Sequence, residues 1–351
     1  MTAWTILSLL SVCLLQDPAK APFSNNLPQK SWCGIYPTVL LPWTCDGHVD
    51  AAALVRQLEH LLCHRVNGML ILGTLGEGEY ADAAERSTVI SLTVSTVQKK
   101  VPIVVGIHTA CVPTALEQMQ QAKELGADAV LVKYTGCAGT PFCQVTSFYH
   151  ELSKAQILPI FIYYYPSQTG LSFTPEEIAV LLHLPGVVGI KESILDLKHI
   201  QKQIALTQDV CPTFLSGTAL NLTQFAAIGG HGAMCPEGLL LPAKTMSAYE
   251  HAYLLGDFKT ARSLQRDLFV VAPLIQRMPV SPGGARLLTM TTQDLHWRMR
   301  VGPEATSAKL KLALNELGIS MQSIVKPPQA QLSSWERLQI KLLMPRVRKA
   351  E

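Results

Sequence analysis

The chain has 351 residues, a length that accommodates one large α/β domain or two ordinary ones. Hydrophobic residues make up 48% of the sequence and charged residues only 16%, which is typical of a folded globular protein and excludes extensive disorder. The 29 basic and 26 acidic residues are scattered along the chain and give a formal net charge of +3. This distribution does not indicate a nucleic-acid-binding protein.

The N-terminal segment from Trp4 to Leu15 is apolar and uncharged. It has about the length of a signal-peptide core and is too short to span a bilayer. Ala19-Lys20-Ala21 offers a small-x-small cleavage site, but no Lys or Arg precedes Trp4. Residues 1–31 are therefore interpreted as an apolar segment and a linker. Two localisations remain open, cytoplasmic or exported through an atypical signal, and we predict no membrane span.

The nine cysteines are odd in number and include no Cys-x-x-Cys pair, so the sequence does not predict a disulfide framework. His60, Cys63 and His64 lie at helical spacing and are the one arrangement that resembles a metal site. No acidic or fourth ligand is nearby in the sequence. We interpret these residues as a helix flank and predict no metal.

Eight short apolar runs, rich in β-branched residues, follow Gly34 at intervals of roughly 20 to 35 residues, as a (β/α)8 barrel requires. The runs are Ile35 to Leu41, Met69 to Leu72, Ile103 to Val105, Ala129 to Val132, Ile160 to Tyr164, Val187 to Ile190, Thr213 to Leu215 and Gly232 to Met234.

Amphipathic stretches separate these runs. Asp50 to Arg65 carries its leucines on one stripe, and Thr174-Pro175-Glu176-Glu177 reads as an N-cap followed by proline at the first helical position. The sequence predicts a TIM barrel over residues 32–240 and a C-terminal helical extension over 241–351. The alternative, a doubly wound open sheet, would need a glycine-rich loop after the first strand, where Leu41-Pro42-Trp43-Thr44 stands instead.

Catalytic groups of a barrel lie at the carboxyl ends of its strands. Lys191 ends the run that begins at Val187, so its ammonium is expected in the barrel mouth. Desolvation there lowers the pKa of a lysine and makes its neutral amine available as a nucleophile. The alternative is a structural lysine paired with Glu192 or Glu77.

Two further hydroxyl groups stand at strand ends. Tyr163 ends the fifth run and can transfer protons to and from a carbinolamine formed on Lys191. Thr74 lies in a glycine-flanked turn after the second run and suits a proton relay or a carboxylate contact. Each signal is weak alone, because a tyrosine-rich strand also contains core and rim residues.

Together these segments resemble the dihydrodipicolinate synthase and N-acetylneuraminate lyase superfamily, over about Gly34 to Leu343. The matching segments are Leu40-Leu41-Pro42-Trp43, Gly73-Thr74-Leu75-Gly76-Glu77, Tyr163-Tyr164-Tyr165-Pro166-Ser167-Gln168-Thr169-Gly170, Val188-Gly189-Ile190-Lys191-Glu192 and Gly229-Gly230-His231-Gly232-Ala233. The resemblance implies that Lys191 forms the imine, that Tyr163 transfers protons and that Thr74 relays them. It also implies a substrate-binding set of Gly73, Leu75, Gly76, Glu77, Tyr134, Gln168, Gly217 and Gly232.

The chain departs from the superfamily pattern at three places. Leu75 replaces the second signature threonine, and Gln168 stands where synthases that use aspartate semialdehyde carry an arginine. Lys133-Tyr134-Thr135 replaces a Pro-Tyr-Tyr segment, which leaves Tyr134 as the candidate for a third relay hydroxyl. Because a glutamine brings no charge to a carboxylate, we expect a neutral or hydroxylated aldehyde and not a true dihydrodipicolinate synthase.

The leading interpretation is a class I lyase or aldolase that acts on pyruvate or another 2-keto acid and an aldehyde through a Schiff base, without a cofactor. Two alternatives remain: a 2-keto-3-deoxy sugar acid dehydratase, and a catalytically impaired keto-acid-binding paralogue. The resemblance further implies a homodimer or homotetramer. A family-specific loop is predicted from Met278 to Gly302.

Overall fold

Eight parallel strands form the centre of the computed structural model, which describes residues 32–275 and 305–351. The strands are β1 (Gly34–Pro37), β2 (Met69–Ile71), β3 (Ile103–His108), β4 (Ala129–Lys133), β5 (Ile160–Tyr164), β6 (Val187–Glu192), β7 (Thr213–Ser216) and β8 (Gly232–Cys235). Each strand pairs with its sequence neighbour, and β1 pairs with β8. A parallel bridge from Thr38 to Leu70 joins β1 to β2, so the strands form the predicted (β/α)8 barrel.

Helices follow the strands in turn. They are α1 (Ala51–Cys63), α2 (Ala83–Val97), α3 (Val112–Glu124), α4 (Phe142–Ala155), α5 (Pro166–Thr169), α6 (Pro175–Leu182), α7 (Leu197–Leu206) and α8 (Leu222–Ala227). Thr174 caps α6, as the sequence predicted, through a capping box with Glu177, and Asp50 caps α1. These capping interactions fix the residues at which α1 and α6 begin.

The side-chain alternation of the strands separates two environments. In β4, Val130 and Val132 pack into the hydrophobic core shared with the surrounding helices. Leu131 and Lys133 therefore face the barrel interior, because successive strand side chains point to opposite faces. The same alternation turns Tyr163 of β5 and Lys191 of β6 inward, and they are register neighbours.

Further helices follow β8 and form the predicted C-terminal extension. They are α9 (Glu237–Leu240), α10 (Pro242–Tyr249) continued by a π-helical turn (Glu250–Leu254), α11 (Phe258–Leu268) continued by a 3₁₀ turn (Phe269–Val271), α12 (Ala272–Ile275), α13 (Thr306–Glu316) and α14 (Ser334–Ala350). The described residues from Cys33 onward form one compact unit, and the predicted division at residue 240 stays a prediction. The segments 1–31 and Met278 to Gly302 lie outside the described residues.

No helix within the described ranges is long and apolar enough to cross a bilayer. The predicted absence of a membrane span agrees with this for those ranges. Whether the chain is exported depends on residues 1–31, which the structure does not describe.

Candidate active site

The turn after β2 brings Thr74 to the carboxyl end of the strands, called the barrel mouth below. Leu72 (φ 53°) and Glu77 (φ 55°) both adopt the left-handed conformation that side-chain-bearing residues rarely take. The turn also lies against two other backbones: a Cβ at Gly78 would lie 1.8 Å from the Leu72 carbonyl oxygen, and one at Gly106 2.1 Å from it. Such strain persists where the surroundings enforce it, and it is frequent at functional sites.

Two nitrogen-bearing side chains, the buried Arg86 and the half-buried His108, hold this turn. Arg86 of α2 donates to the carbonyls of Gly78 (3.3 Å) and Gly106 (3.1 Å). Nε2 of His108, at the end of β3, donates to the Leu72 carbonyl at 3.0 Å. Burial and the nearby ammonium of Lys133 lower the pKa of His108 well below its usual range, so this imidazole is neutral. The position of Thr74 is therefore enforced from two neighbouring elements.

Lys191 lies near the end of β6 with 6% of its surface exposed. Burial lowers its pKa from 10.5 to about 8, and weaker influences of Cys235 and Glu237 oppose that shift. Its Nζ lies over the ring of Tyr163, 4.3 Å from the centroid. Among the described residues, neither Glu77 nor Glu192 forms an ion pair with it, unlike the structural alternative considered from the sequence. The arrangement favours a nucleophilic amine.

Tyr163 occupies the neighbouring position on β5 with 6% of its surface exposed. Burial raises the pKa of its phenol to about 12, while hydrogen bonds with Thr74 and Ser193 act in the opposite direction. The phenol is therefore protonated at neutral pH and can donate to a group bound at Lys191. The three residues predicted to be catalytic thus come from three strand ends and meet at one place.

Lys133 is the site residue that the sequence reasoning missed. It is the last residue of β4, only 2% exposed, and its Nζ contacts the Thr74 hydroxyl (3.3 Å) and the Gln168 amide oxygen (2.9 Å). The Glu79 carboxylate lies 3.5 Å from the same nitrogen. The signal was present in the sequence, because strand alternation from Leu131 places Lys133 on the inward face.

Gln168 and Tyr134 lie in different surroundings from those the resemblance implied. Gln168 is exposed on α5, and its amide oxygen accepts from Lys133. A positive charge is therefore present beside Gln168, which weakens the argument that an acidic aldehyde lacks a partner here. Tyr134 turns to the outer face of β4, where its ring packs edge-on against Phe148 at 5.1 Å. Strand alternation thus brings Lys133, not Tyr134, to Thr74.

The other predicted binding residues divide into three groups. Gly73, Leu75, Gly76 and Gly217 lie in turns at the mouth, and a Cβ at Gly217 would lie 2.4 Å from the Ser193 hydroxyl. Glu77 is fully buried and pairs with Lys311 of α13, which favours a structural role. Gly232 begins β8 beside Gly34, at the opposite end of the strands from the mouth, so it is not included in the site.

A buried carboxyl group that sequence reasoning also missed lies after β8. Glu237 is fully buried, accepts from the Thr218 hydroxyl (2.5 Å) and from the Ala219 backbone N–H (3.1 Å), and is near enough to influence Lys191. Burial raises its pKa. Among the described residues it forms no hydrogen bond or ion pair with the Lys191 amine, so we assign it to the support of the mouth.

The third candidate metal ligand beside His60 and His64 of α1 is Glu351, and not Cys63. Cys63 is exposed, whereas one ligand atom each from His60, His64 and Glu351 lies within 4.8 Å of the others. The sequence-based statement that no acidic group is nearby was therefore wrong, because α14 brings the distant Glu351 to α1. The prediction that the chain holds no metal stays a prediction.

Comparisons with known proteins agree with this architecture. The model of the "Dihydrodipicolinate synthetase family" matches residues 31–283. A 4-hydroxy-tetrahydrodipicolinate synthase of Teredinibacter turnerae is 33% identical over 242 residues, which cover 67% of this chain and 79% of the relative. A protein of Escherichia coli named "Probable 2-dehydro-3-deoxy-D-pentonate aldolase" is 28% identical over 242 residues, covering 68% and 80%.

Solved structures share the fold. A prophage protein of the dihydrodipicolinic acid synthase family from Escherichia coli, solved in complex with pyruvate, superposes with a TM-score of 0.77 at 21% identity. The match covers 90% of this chain and 99% of that one. At this identity the likeness supports the barrel and its C-terminal helices but no particular substrate.

Proposed function

Because the chain belongs to the dihydrodipicolinate synthetase family, whose members are class I Schiff-base lyases, we propose that Lys191 forms the imine with a 2-keto acid. One observation carries this assignment: a lysine at a strand end, buried in the barrel mouth, without a carboxylate partner and beside a protonated phenol. At neutral pH about one in ten such amines is neutral when its pKa is about 8, against about one in three thousand at 10.5.

The reaction begins when the neutral amine of Lys191 adds to the keto carbon. After proton transfer from nitrogen to oxygen, the adduct is a neutral carbinolamine. Tyr163 then gives its proton to the hydroxyl group, water leaves, and the nitrogen lone pair forms the protonated imine. The imine withdraws electrons from the adjacent C3 position, so a carbon–carbon bond there can break or form. No metal or organic cofactor is needed for these steps.

The substrate class proposed is pyruvate as the keto acid that remains on Lys191, with an aldehyde as its partner. The related prophage protein was solved with pyruvate. The Escherichia coli relative carries the name of an aldolase, and the 2-dehydro-3-deoxy-D-pentonate in that name is a sugar acid. Leu75 brings no hydroxyl to its position in the turn and packs partly against the core, and Gln168 offers an amide for a hydroxyl group. These features support a hydroxylated aldehyde as the partner over aspartate semialdehyde. The ammonium of Lys133 lessens this preference, because it brings a positive charge beside Gln168.

The test is borohydride reduction in the presence of pyruvate, followed by peptide mass spectrometry. The expected adduct is on Lys191, and Lys191→Ala should abolish it. Lys311 is an internal control, since burial also lowers its pKa to about 8 but it is fully buried and paired with Glu77. An adduct on Lys311 or Lys133, or no adduct, would contradict the proposal.

The expected homodimer or homotetramer stays a prediction, as does the absence of nucleic-acid partners. Sedimentation velocity of the purified chain measures the first directly.

A further inference from the structure

A chain of contacts leads from Tyr163 at the centre of the mouth to its edge. The Thr74 side chain is close enough to the Tyr163 phenol to lower its pKa, the Thr74 hydroxyl lies 3.3 Å from Nζ of Lys133, and Nζ lies 3.5 Å from the Glu79 carboxylate. Three of these groups are buried or half-buried, whereas Glu79 is exposed. A path of exchangeable protons therefore connects the buried phenol with solvent.

The ammonium of Lys133 determines which group donates and which group accepts along this chain of contacts. An ammonium has three N–H donors and no acceptor, so Thr74 has to accept from Lys133 and must send its own proton elsewhere. The side chain that Thr74 influences in that direction is the Tyr163 phenol, which Ser193 influences as well. When both hydroxyls donate to the phenol oxygen, the phenol O–H is left to donate to a group bound at Lys191.

We propose that Lys133 is the terminal proton donor of a Lys133–Thr74–Tyr163 relay and that it orients the Tyr163 hydroxyl as a donor during imine formation. This inference rests on the proposed function of Lys191. In this role Lys133 does not touch the reacting atoms and acts through Thr74, so it is a positioning residue. It replaces the hydroxyl that the sequence comparison sought at Tyr134.

The step balances in protons and charge. Tyr163 protonates the carbinolamine hydroxyl, Thr74 returns a proton to the phenolate oxygen, and Lys133 returns one to Thr74. The products are water, a cationic imine on Lys191 and a neutral amine on Lys133, which regains a proton through Glu79 and solvent. One positive charge thus moves from Lys133 to the imine, and until Lys133 regains its proton the mouth does not hold both charges. Burial lowers the pKa of Lys133, Glu79 opposes this shift, and the nearby Lys191 adds to it, so a positive charge at Lys191 assists the loss of the Lys133 proton.

A different role for Lys133 would be to bind a carboxylate of the substrate. Its three protons already have three acceptors: the Thr74 hydroxyl, the Gln168 amide oxygen and the Glu79 carboxylate. A substrate anion would have to displace one of them, and Glu79 already neutralises the charge. The observed contacts therefore favour the relay, and the substrate-anchor role becomes an outcome of the test.

Two substitutions of Lys133 separate the roles. Lys133→Met removes charge and protons at similar length, and should lower kcat about 100-fold, the lower range for a positioned proton donor, with little change in KM. Lys133→Arg keeps the charge but does not release a proton below about pH 12. It should remain at least about tenfold below the original protein if the relay operates. Full activity of Lys133→Arg, or a change confined to KM in Lys133→Met, would overturn the proposal.

The pH profile and chemical rescue give readouts that a merely structural role would not move. The groups that face Lys133 are Glu79, Lys191 and neutral His108, and the alkaline decline of kcat in the original protein should be absent from Lys133→Met. In Lys133→Ala, methylammonium should restore activity and tetramethylammonium, which has no proton to give, should not. Equal effects of the two ions would contradict the relay.

Borohydride trapping separates failure of this inference from failure of the proposed function. Lys133→Met should reach the same final extent of Lys191 adduct with pyruvate, but imine formation before reduction should be slowed by about the same factor as kcat. If the original protein forms no adduct, the proposed function fails. If it forms one and Lys133→Met forms it equally fast, only the role of Lys133 is wrong.

Discussion

Two buried lysines of this chain have the same lowered pKa, about 8, and opposite surroundings. Lys191 lies at the barrel mouth over the face of Tyr163, and no carboxylate of the described residues forms an ion pair with it. Lys311 is fully buried on α13, where its ammonium contacts the Glu77 carboxylate and donates to the Ile324 carbonyl at 2.6 Å. Desolvation is the largest cause of both shifts.

The comparison shows that a lowered lysine pKa does not by itself identify a nucleophile. At Lys311 the surroundings satisfy the ammonium and exclude a ligand, so the residue joins two parts of the fold. At Lys191 the surroundings leave the charge unpaired and place a phenol within reach. The missing counter-ion and the open mouth distinguish a reactive lysine from a structural one.

The largest effect that tests this comparison is expected from Lys191→Met. Activity should fall about 10⁴-fold or more, as when a covalent nucleophile is removed. Stability should rise at neutral pH by on the order of 1–3 kcal/mol, because the folded chain no longer buries an unpaired ammonium. Chemical denaturation and steady-state kinetics measure the two effects. A large loss of stability would mean that Lys191 has a structural partner after all.

The sign of that stability change follows from linkage. The folded-state pKa of Lys191 is about 8 against an ordinary 10.5, so between these values the unfolded chain binds more protons. Its contribution to stability is therefore most unfavourable below pH 8 and improves as the pH rises toward 10.5. Lys191→Met should flatten this part of the stability profile.

Lys311→Met should have the opposite consequence. It leaves the buried Glu77 carboxylate without its cation, which costs about 3–5 kcal/mol of unfolding free energy. The double variant Glu77→Gln/Lys311→Met should recover most of this loss, since it removes both charges and keeps an oxygen acceptor for Trp43 Nε1 and the Lys326 backbone N–H. Equal instability of the single and double variants would contradict the description of Glu77 and Lys311 as a coupled pair.

A smaller effect is expected in the pH dependence of pyruvate trapping. The rate of imine formation at Lys191 should rise about tenfold between pH 6 and 7 and level off above about pH 8, as the neutral amine becomes the main form. A rate that continued to rise toward pH 10 would mean that Lys191 is hydrated like an ordinary surface lysine. Stopped-flow measurement of imine formation over this range provides the comparison.

All eight strands could be predicted from the apolar runs, and the bounds of β5 agree fully. The runs for β1 and β2 extend past the observed carboxyl ends, and those for β3, β4, β6, β7 and β8 stop short of them. Backbone pairing continues through polar residues at which an apolar run ends. The residues omitted in this way include Lys133 and Lys191, which lie at the mouth.

Lys191, Tyr163 and Thr74 could be chosen as candidates because each belongs to a recognisable segment, and their catalytic roles stay predictions. The contact between Glu77 and Lys311 could not, since 234 residues separate the partners. The left-handed conformation of Leu72 was equally hidden, because leucine carries no sequence signal for it. Tyr134 was chosen for its hydroxyl although strand alternation turns it outward, which shows that residue type must be considered together with register.

Glu77 lies three positions after Thr74 in the same strained turn, and its carboxylate meets Trp43, Lys311 and the Lys326 backbone. This buried junction makes the C-terminal helices part of the scaffold that sets the Thr74 hydroxyl. A chimeric enzyme that joined this barrel to the helices of a relative would inherit the fold but would need a residue equivalent to Lys311 to retain the relay. Replacing the C-terminal helices would therefore change residues that position Thr74 and not only the protein surface.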